Sequence, residues 1–405
     1  MISVEEALAR LLALVETLPP EQVALADGLG RVLAEDVAAR RTQPPFAVSA
    51  MDGYAVGADD LGTIPVELRI VAEVPAGAGF GGHVGAGEAA RIFTGAPMPA
   101  GTDTVVIQEH TERRGDRVRV LEAARRGRYV RREGLDFAEG EVLLQAGRRL
   151  TARDIGLVAA MNRPWLFVRR RPRVGILSTG DEIVMPGDPI GPHQIVSSNS
   201  LALAAIVAGC GGIAVSVGNA PDNPEALRRI AAATRGVDLL VTTGGASVGE
   251  HDLVREALAE DGFDLDFWQI AMRPGKPLMV GRYRGTPMLG LPGNPVSTFV
   301  CAMLFLAPAI ERLSGVASPT SSAAATARLA AAVPANDRRQ DYLRARLARA
   351  DDGVEEAVPF EVQDSSMMRL LAAADCLILR PPHAAAAGPG ETVPILRFPT
   401  GALPI

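Results

Sequence analysis

Cysteine is scarce in this chain, whose 405 residues include only Cys210, Cys301 and Cys376. Because the three lie far apart in apolar surroundings, the sequence predicts neither a disulfide framework nor a zinc site, and a reduced, cytoplasmic setting fits best. Aromatic residues are also scarce, at 4% of the chain, which argues against a surface that stacks nucleic-acid bases. The net charge of -6 gives no general attraction to nucleic acid or to an anionic membrane.

A long uncharged run that could cross a membrane is missing as well. The nearest candidate, 201–221, is interrupted by Gly209, Gly211 and Gly212, which divide it into a predicted helix and a following strand, so we expect no membrane span. What the chain does have is size. A length of 405 residues exceeds what a single hydrophobic core usually organises, so several compact units are expected.

The periodicity of the sequence changes along the chain. Helical spacing follows Ser3, an expected N-cap, and returns after Thr151, whereas the stretch between them is β-like. A hairpin is expected in that stretch, with strands 105–107 and 118–120 around Gly115. From residue 171 strands and helices alternate, which is typical of parallel strands with helical crossovers. We predict four units: a central helical and β segment made of 1–44 with 141–170, an inserted β-rich lobe at 45–140, an α/β domain at 171–316, and a small β unit at 317–405.

Glycine-punctuated turns follow the predicted strands of the α/β unit. The turn Thr179-Gly180-Asp181-Glu182 comes directly after an apolar strand, and ligands of open α/β sheets bind at the carboxyl ends of the strands. Two adjacent carboxylates suit a hard cation such as Mg²⁺. The alternative is that Asp181 caps a turn and Glu182 faces water.

A second turn, 243–252, carries Gly244, Gly245 and Gly249 together with the hydroxyl of Ser247. Glycines let backbone N–H groups approach a ligand, so this turn is a candidate phosphate or anion cradle before a helix. Asp252 at its end is a candidate metal ligand, or alternatively the N-cap of the next helix.

Two further turns combine rigidity with anion-binding groups. Arg273 and Lys276 flank Pro274-Gly275, and two cations in one tight turn favour a bound anion. The turn Pro292-Gly293-Asn294-Pro295 opens a helix whose Ser297 can cap the helix and donate to an anion.

Carboxylates also occur in turns of the β-rich stretch. Asp52 lies in a sharp turn with Gly53, which we expect at a positive φ, and Asp136 and Thr94 lie in similar turns. Taken singly, each is only a turn. The pattern 77–82 satisfies a dinucleotide fingerprint, but no helix follows it, so a flexible loop is the better interpretation.

Six of these motifs, in this order, resemble the molybdopterin molybdenumtransferase family, called MoeA in bacteria and the E domain of gephyrin in animals. The resemblance runs from about Ser3 to the C-terminus. It is carried by the sequences at 49–56, 93–97, 178–182, 244–249, 274–277 and 291–297.

The resemblance implies an elongated homodimer whose subunit has a central dimer-forming segment, an inserted β lobe, a molybdopterin-binding α/β domain of three layers and a C-terminal β-barrel. It implies an enzyme that inserts molybdenum from molybdate into adenylylated molybdopterin, with Mg²⁺-dependent hydrolysis that releases AMP. The dithiolene sulfurs belong to the substrate, so no protein cysteine is required.

The family's functional positions map onto residues of this chain. Expected catalytic positions are Asp52, Thr94, Asp136, Glu182, Asp222 and Asp252, with Glu182 and Asp252 as the metal ligands. Expected molybdate-side positions are Ser247, Arg273, Lys276, Pro277, Ser297, Arg344, Ser365 and Ser366. Expected contacts to the pterin nucleotide are Thr179, Gly180, Asp181, Gly244, Gly245, Gly249, Pro292, Gly293 and Asn294. Arg273 stands where many members have lysine.

Two other functions stay open at this point. A related α/β protein that adenylylates molybdopterin would share the turns at 179–182 and 244–245, although it would need only the α/β domain. A non-catalytic scaffold or carrier would instead bind a peptide. Implied partners are the adenylylating enzyme and recipient molybdoenzymes.

Overall fold

Three six-stranded sheets organise the part of the chain that the structure describes. The computed structural model describes residues 1–232, 234–244, 257–317 and 325–398. In that part of the chain the α-helices are Val4–Leu14, Ala152–Ala160, Asn199–Gly209, Pro224–Ala232, Pro295–Cys301, Ala307–Leu313 and Met368–Ala372. A π-helical turn, Ala302–Leu306, joins two of them. Short 3-10 turns are Leu25–Asp27, Ala58–Leu61 and Gln108–His110.

Side-chain caps start the first two helices, as predicted. The Ser3 hydroxyl accepts from the Glu6 N–H at 3.1 Å. Thr151 and Asp154 form a full capping box, in which each side chain accepts from the other's backbone N–H. The predicted central segment contains both helices. In the structure, the first packs its buried face into the core of the α/β sheet, and the second packs on segments 23–39 and 137–168.

The β-rich stretch folds into a sheet of its own. Its strands, in spatial order, are Thr104–Ile107, Gly53–Val56, Glu88–Ile92, Val66–Val74, Arg117–Val120 and Thr111–Arg114. The predicted hairpin forms around Gly115, but its first strand is Thr111–Arg114 and not 105–107. The 3-10 turn Gln108–His110 separates the two stretches, so Thr104–Ile107 pairs with Gly53–Val56 instead.

Two-stranded ladders connect the segments around this sheet. The pairs are Pro20–Ala24 with Trp165–Arg169, Val37–Ala38 with Val142–Leu144, and Val48–Ser49 with Val130–Arg131. The chain before the sheet therefore returns to pair with the chain after it, which is the topology of an insertion. The four domain boundaries themselves stay predictions.

The α/β sheet is parallel over four of its six strands. Their spatial order is Ile213–Ala220, Arg173–Thr179, Leu239–Thr243, Thr286–Leu291, Met279–Tyr283 and Phe263–Phe267. The first four pair in parallel, whereas Met279–Tyr283 pairs antiparallel with both of its neighbours. Helices Asn199–Gly209 and Pro224–Ala232 lie in the connections, as the alternating pattern predicted. Because the first four strands run the same way, their carboxyl ends meet at one edge of the sheet. A separate short ladder pairs Ile183–Val184 with Ile195–Val196.

The C-terminal strands close into a barrel. Gln340–Arg349 pairs with Glu355–Pro359 on one side and with Cys376–Arg380 on the other. Ala325–Leu329 and Thr392–Arg397 complete the ring. The first of these pairs is a hairpin that turns at 351–353. A further strand, Met272–Arg273, pairs with Gln340 and Asp341 and so ties the barrel to the α/β sheet.

One stretch, Pro295–Leu313, is apolar and long enough to cross a bilayer by length and composition, but 67% of it is buried inside the protein. Val300, Phe305 and Ile310 lie in the hydrophobic cluster that also holds strands of the α/β sheet and the first helix. Its apolar character is therefore explained by the core.

Gly275 is required by close packing as well as by conformation. Its φ is +112°, and a Cβ would lie 2.5 Å from the sulfur of Cys301. We expect Gly275→Ala to lower the free energy of unfolding by about 2–3 kcal/mol, because left-handed strain and steric overlap add. Gly285→Ala is the matched control, since its φ is +85° with nothing within 4 Å, and should cost only about 1 kcal/mol. Equal shifts of the urea midpoint for the two variants would contradict this.

Candidate active site

A cavity of about 300 Å³ lies where the Arg273 turn, the helix after Pro295 and the barrel meet. Six of the eight predicted molybdate-side residues line it: Arg273, Lys276, Pro277, Ser297, Arg344 and Ser365. Ser366 is not among the lining residues, and Ser247 lies outside the described residues. Arg339, Tyr342 and Gln363, which the sequence analysis did not single out, also line the cavity. Residues from distant parts of the sequence thus share one polar space.

Four cations surround this space, and carboxylates offset two of them. Arg273 pairs with Asp341, and its other nitrogen lies 3.8 Å from Asp337. Arg339 binds Asp337 at 2.7 Å, and this hydrogen bond and charge hold the pKa of Asp337 down, to about 2. Lys276 forms no ion pair with any described residue. The cavity keeps a positive surplus that suits an anion.

Arg344 is the most deeply buried of the four cations, with 1% of the residue exposed. Its Nη1 donates to the carbonyl of Met367 at 3.3 Å, and its Nε donates to the amide oxygen of Gln363 at 3.3 Å. Burial lowers the pKa of Arg344, although the charge of Asp364 opposes this shift. A buried cation held by neutral oxygens gains from a bound anion more than an exposed one does.

The loop before the helix joins the α/β domain to the barrel. Asn294 donates from Nδ2 to the hydroxyl of Ser365 at 3.1 Å, and the Val296 N–H donates to the Ser365 carbonyl at 3.0 Å. We had predicted that Ser297 could cap this helix. The helix begins at Pro295, however, so Ser297 is not its cap. Ser297 is its third residue, buried, and at the cavity wall.

Ser366 has a local role in the structure. Its N–H and hydroxyl donate to Asp364 Oδ1 at 2.8 and 2.6 Å. Both bonds lower the pKa of Asp364, and the bond from the hydroxyl contributes more than the bond from the N–H. The predicted oxyanion contact of Ser366 stays a prediction.

The carboxyl ends of the parallel strands gather the predicted acidic residues. Thr179 and Gly180 are buried at the end of one strand, and the Asp222 N–H donates to Asp181 Oδ1 at 3.0 Å. Asp181 therefore links two loops. Glu182 and Asp222 have exposed side chains. Asn223, not Asp222, caps the next helix, through bonds from two backbone N–H groups to its Oδ1.

The neighbouring loops pack closely at the same edge. A Cβ on Gly244 would lie 2.5 Å from the Thr179 carbonyl oxygen, and one on Gly293 would lie 3.6 Å from the Gly244 Cα. The loop that includes Pro292, Gly293 and Asn294 thus touches the sheet edge at one end and the cavity at the other. Gly245, Gly249 and Asp252 lie outside the described residues, so the anion cradle is described only at Gly244.

Asn199 is a site residue that the sequence analysis missed. Its Nδ2 donates to Thr243 Oγ1 at 3.0 Å and to the Gly293 carbonyl at 2.8 Å, so it fixes two of the loops relative to each other. The available signal was an asparagine at the start of the helix that follows a polar turn.

The donor set at this edge fits a magnesium ion that also binds substrate. The described residues contain no group of three acidic, histidine or cysteine side chains close enough to hold a metal alone. Mg²⁺, however, commonly takes one or two carboxylates and completes its shell with phosphate oxygens and water. Glu182 offers an exposed carboxylate of the required kind.

In the inserted lobe, Asp52 and Thr94 are directly bonded. The Thr94 N–H and hydroxyl donate to Asp52 Oδ1 at 2.7 and 2.8 Å. The bond from the Thr94 N–H lowers the pKa of Asp52 most. The bond from the Thr94 hydroxyl and the charge of Arg91 lower it further. Asp136 lines a cavity of about 770 Å³ together with Gly95, the neighbour of Thr94. The structure therefore places all three predicted residues of the lobe in one region.

Gly53 in this turn does not have the positive φ that we expected. A Cβ there would lie 2.0 Å from the Val106 carbonyl oxygen, so glycine is needed for close strand packing. The loop interpretation of 77–82 agrees with the structure, which has no helix there.

Thr94→Val is expected to raise the pKa of Asp52 only partway towards its ordinary value. The substitution removes the hydroxyl donor, but the Thr94 backbone N–H, which lowers the pKa of Asp52 more, still donates. Carboxyl-carbon NMR titration would measure the pKa. Thr102→Val removes a hydroxyl that donates to the Pro99 carbonyl and should leave the Asp52 titration unchanged. An unaltered pKa in Thr94→Val would contradict the assignment.

Comparison with known proteins extends these observations across the chain. Residues 2–162 match the MoeA N-terminal region (domain I and II), 175–312 a probable molybdopterin binding domain, and 326–398 the MoeA C-terminal region (domain IV). A molybdopterin molybdenumtransferase of Nostoc sp. is 38% identical over 91% of this chain and 87% of that protein. The Haemophilus influenzae enzyme of the same name is 33% identical over 98% and 99%. The crystal structure of a molybdopterin biosynthesis MoeA protein from Pyrococcus horikoshii superposes with a TM-score of 0.85 at 31% identity, covering 99% of this chain and 100% of that one.

The matched regions and the multidomain fold define a protein of molybdenum cofactor biosynthesis. In particular, the chain belongs to the molybdopterin molybdenumtransferase family and is an enzyme of that family. The expected mixed α/β fold with a closed C-terminal barrel is confirmed.

Proposed function

We propose that the protein inserts molybdenum from molybdate into adenylylated molybdopterin and releases AMP by Mg²⁺-dependent hydrolysis. The observation that carries this proposal is a continuous polar site. The loop Pro292 to Ser297 joins the cationic cavity to the sheet edge that carries Glu182 and Asp222.

The cavity suits the oxyanion. Molybdate is a dianion, and charge-assisted hydrogen bonds from Arg344 and Lys276 would hold it while Ser297 and Ser365 donate from the opposite elements. Arg273 would contribute charge, although its pairing with Asp341 offsets part of it. The cavity, at about 300 Å³, leaves room for the oxyanion beside a dithiolene group.

The sheet edge suits the nucleotide. Loop backbones at Gly180, Gly244 and Gly293 would approach the pyrophosphate, and Glu182 would orient the water that attacks it. Glu182 and Asp222, with Asp252, would hold Mg²⁺, which when bound neutralises phosphate charge.

The cysteines fit a reaction in which sulfur comes from the substrate. Burial raises the pKa of Cys301, raises that of Cys210 to about 11, and raises that of Cys376 to about 12. Thiols with such pKa values stay protonated near neutral pH and make poor metal ligands or nucleophiles. All three are free, in keeping with the cytoplasmic setting that we propose.

We propose that the enzyme works as a homodimer in which the inserted lobe supplies Asp52, Thr94 and Asp136 to the partner's cleft. Trp165 and Phe167 support a dimer, because they are 57% and 42% exposed on a two-stranded ladder of the central segment. Exposed apolar surface of this kind commonly marks an interface. The adenylylating enzyme and recipient molybdoenzymes would be transient partners.

The decisive experiment incubates the purified protein with adenylylated molybdopterin, Mg²⁺ and molybdate, and follows AMP and active cofactor together. We expect both products, and neither when molybdate or Mg²⁺ is omitted. AMP formation that does not depend on molybdate would contradict insertion. Binding without either product would favour a carrier.

A further inference from the structure

The side-chain amide of Gln363 forms hydrogen bonds with both the backbone and the side chain of Arg344. Its Oε1 accepts from the Arg344 N–H at 2.9 Å and from Nε at 3.3 Å. Its Nε2 donates to the Arg344 carbonyl at 3.0 Å and to the Phe360 carbonyl at 2.9 Å. Both ends of the amide are therefore used, and the side chain also lines the cavity.

The charge of this partner distinguishes Arg344 from its neighbours. Arg273 and Arg339 bind the carboxylates of Asp341 and Asp337. The other described acceptors of the Arg344 guanidinium are neutral, namely the carbonyls of Met367 and Val362 at 3.3 and 3.5 Å. Asp364, the nearby carboxylate, accepts instead from Ser366.

An amide is well matched to this position. It supplies an acceptor for Nε and donors for two carbonyls without adding charge. A carboxylate would accept equally well but would offset the guanidinium and lose the donors. An alkyl chain would take away the acceptor of Nε and would leave the Arg344 N–H and the Phe360 carbonyl without this partner, whereas the Arg344 carbonyl would still accept from the Phe360 N–H at 3.1 Å.

We propose that Gln363 is a positioning residue that fixes the Arg344 guanidinium while leaving its positive charge for the oxyanion, and so sets the affinity of the site for a tetrahedral dianion. This inference rests on the proposed function, since it takes molybdate as the occupant of the cavity. It concerns binding of the oxyanion and not the cleavage of the nucleotide.

Sodium molybdate binding to full-length Gln363→Glu, Gln363→Met and wild-type protein tests the inference by calorimetry. We expect Gln363→Glu to raise the Kd at least about tenfold, because the new carboxylate repels the dianion and offsets Arg344. Gln363→Met should raise the Kd by about threefold or more through lost positioning alone. Val354→Glu adds the same charge on an exposed side chain beside the 351–353 turn of the barrel, outside the cavity lining, and should stay within about twofold of wild type.

Turnover separates positioning from general damage to the fold. The KM for molybdate should rise in parallel with the Kd, while kcat at saturating molybdate and the KM for the adenylylated pterin stay near wild type. If Gln363→Glu does not fold, Gln363→Met carries the test under the same criterion.

The outcomes distinguish this inference from the proposed function. Wild-type molybdate binding with both Gln363 variants within about twofold would overturn the inference alone. No binding of molybdate by the wild type would overturn the molybdate assignment of the cavity and the inference with it. A higher KM for the adenylylated pterin in the Gln363 variants, with no change in the KM for molybdate, would also overturn the inference about Gln363.

Discussion

Arg344→Met is expected to reduce kcat/KM for molybdate by at least about 100-fold, because it removes a buried cation from an anion site. Methionine is a suitable replacement, since it fills much of the volume without a charge. The guanidinium is almost completely buried and makes no described ion pair with a carboxylate. Most of its favourable charge interaction is therefore available to a bound oxyanion.

Arg344→Lys separates charge from geometry. Lysine keeps the charge but presents a point cation in place of a planar fork, so we expect an intermediate loss. Initial rates of AMP release at varied molybdate concentration give kcat and the KM for molybdate. Thermal unfolding without substrate reports on the fold. Turnover by Arg344→Met within about threefold of wild type, in a folded protein, would remove Arg344 from the oxyanion site.

The α/β architecture could be predicted from sequence because its strands are short aliphatic runs that end in glycine turns. The run Val174 to Leu177 and the turn at Gly180 illustrate this, since the part of a parallel strand that is buried on both faces is continuously nonpolar and does not alternate. The helix caps at Ser3 and Thr151 are local interactions and were equally readable.

Packing partners could not be predicted in the same way. The spacing of Val4, Ala7 and Leu11 shows that the first helix buries one face, but not which surface covers it. That surface proved to be the α/β core. The predicted first strand of the hairpin at Gly115 was wrong for a related reason, because either of the two preceding strands could have reached the turn.

The residues of the candidate site also fall into those that local sequence identifies and those that only the folded structure identifies. Arg273, Lys276 and Ser297 lie in motifs whose local sequence marks them. Arg339 and Gln363 are recognisable only once the chain is folded, because folding places Arg339 at the cavity wall and brings Gln363 to Arg344. Their residue types are ordinary on a surface, so sequence pattern alone gives them no distinction.

Glu182→Gln is expected to lower the rate of AMP release by at least about 100-fold while the fold is unchanged. The side chain is exposed at the sheet edge and binds no described cation, so its loss should leave the thermal unfolding temperature at the wild-type value. Glu225→Gln, an equally exposed carboxylate in the first turn of the neighbouring helix, is the matched control and should retain full activity.

Magnesium dependence then decides between the two roles of Glu182. If the carboxylate mainly holds Mg²⁺, raising the Mg²⁺ concentration should restore much of the lost rate, because the remaining ligands bind the ion more weakly. If it mainly orients the attacking water, saturating Mg²⁺ should leave the rate low, since the missing group then acts in the chemical step. Wild-type activity in Glu182→Gln at all Mg²⁺ concentrations would exclude both roles and would leave Asp222 and Asp252 as the carboxylates to test.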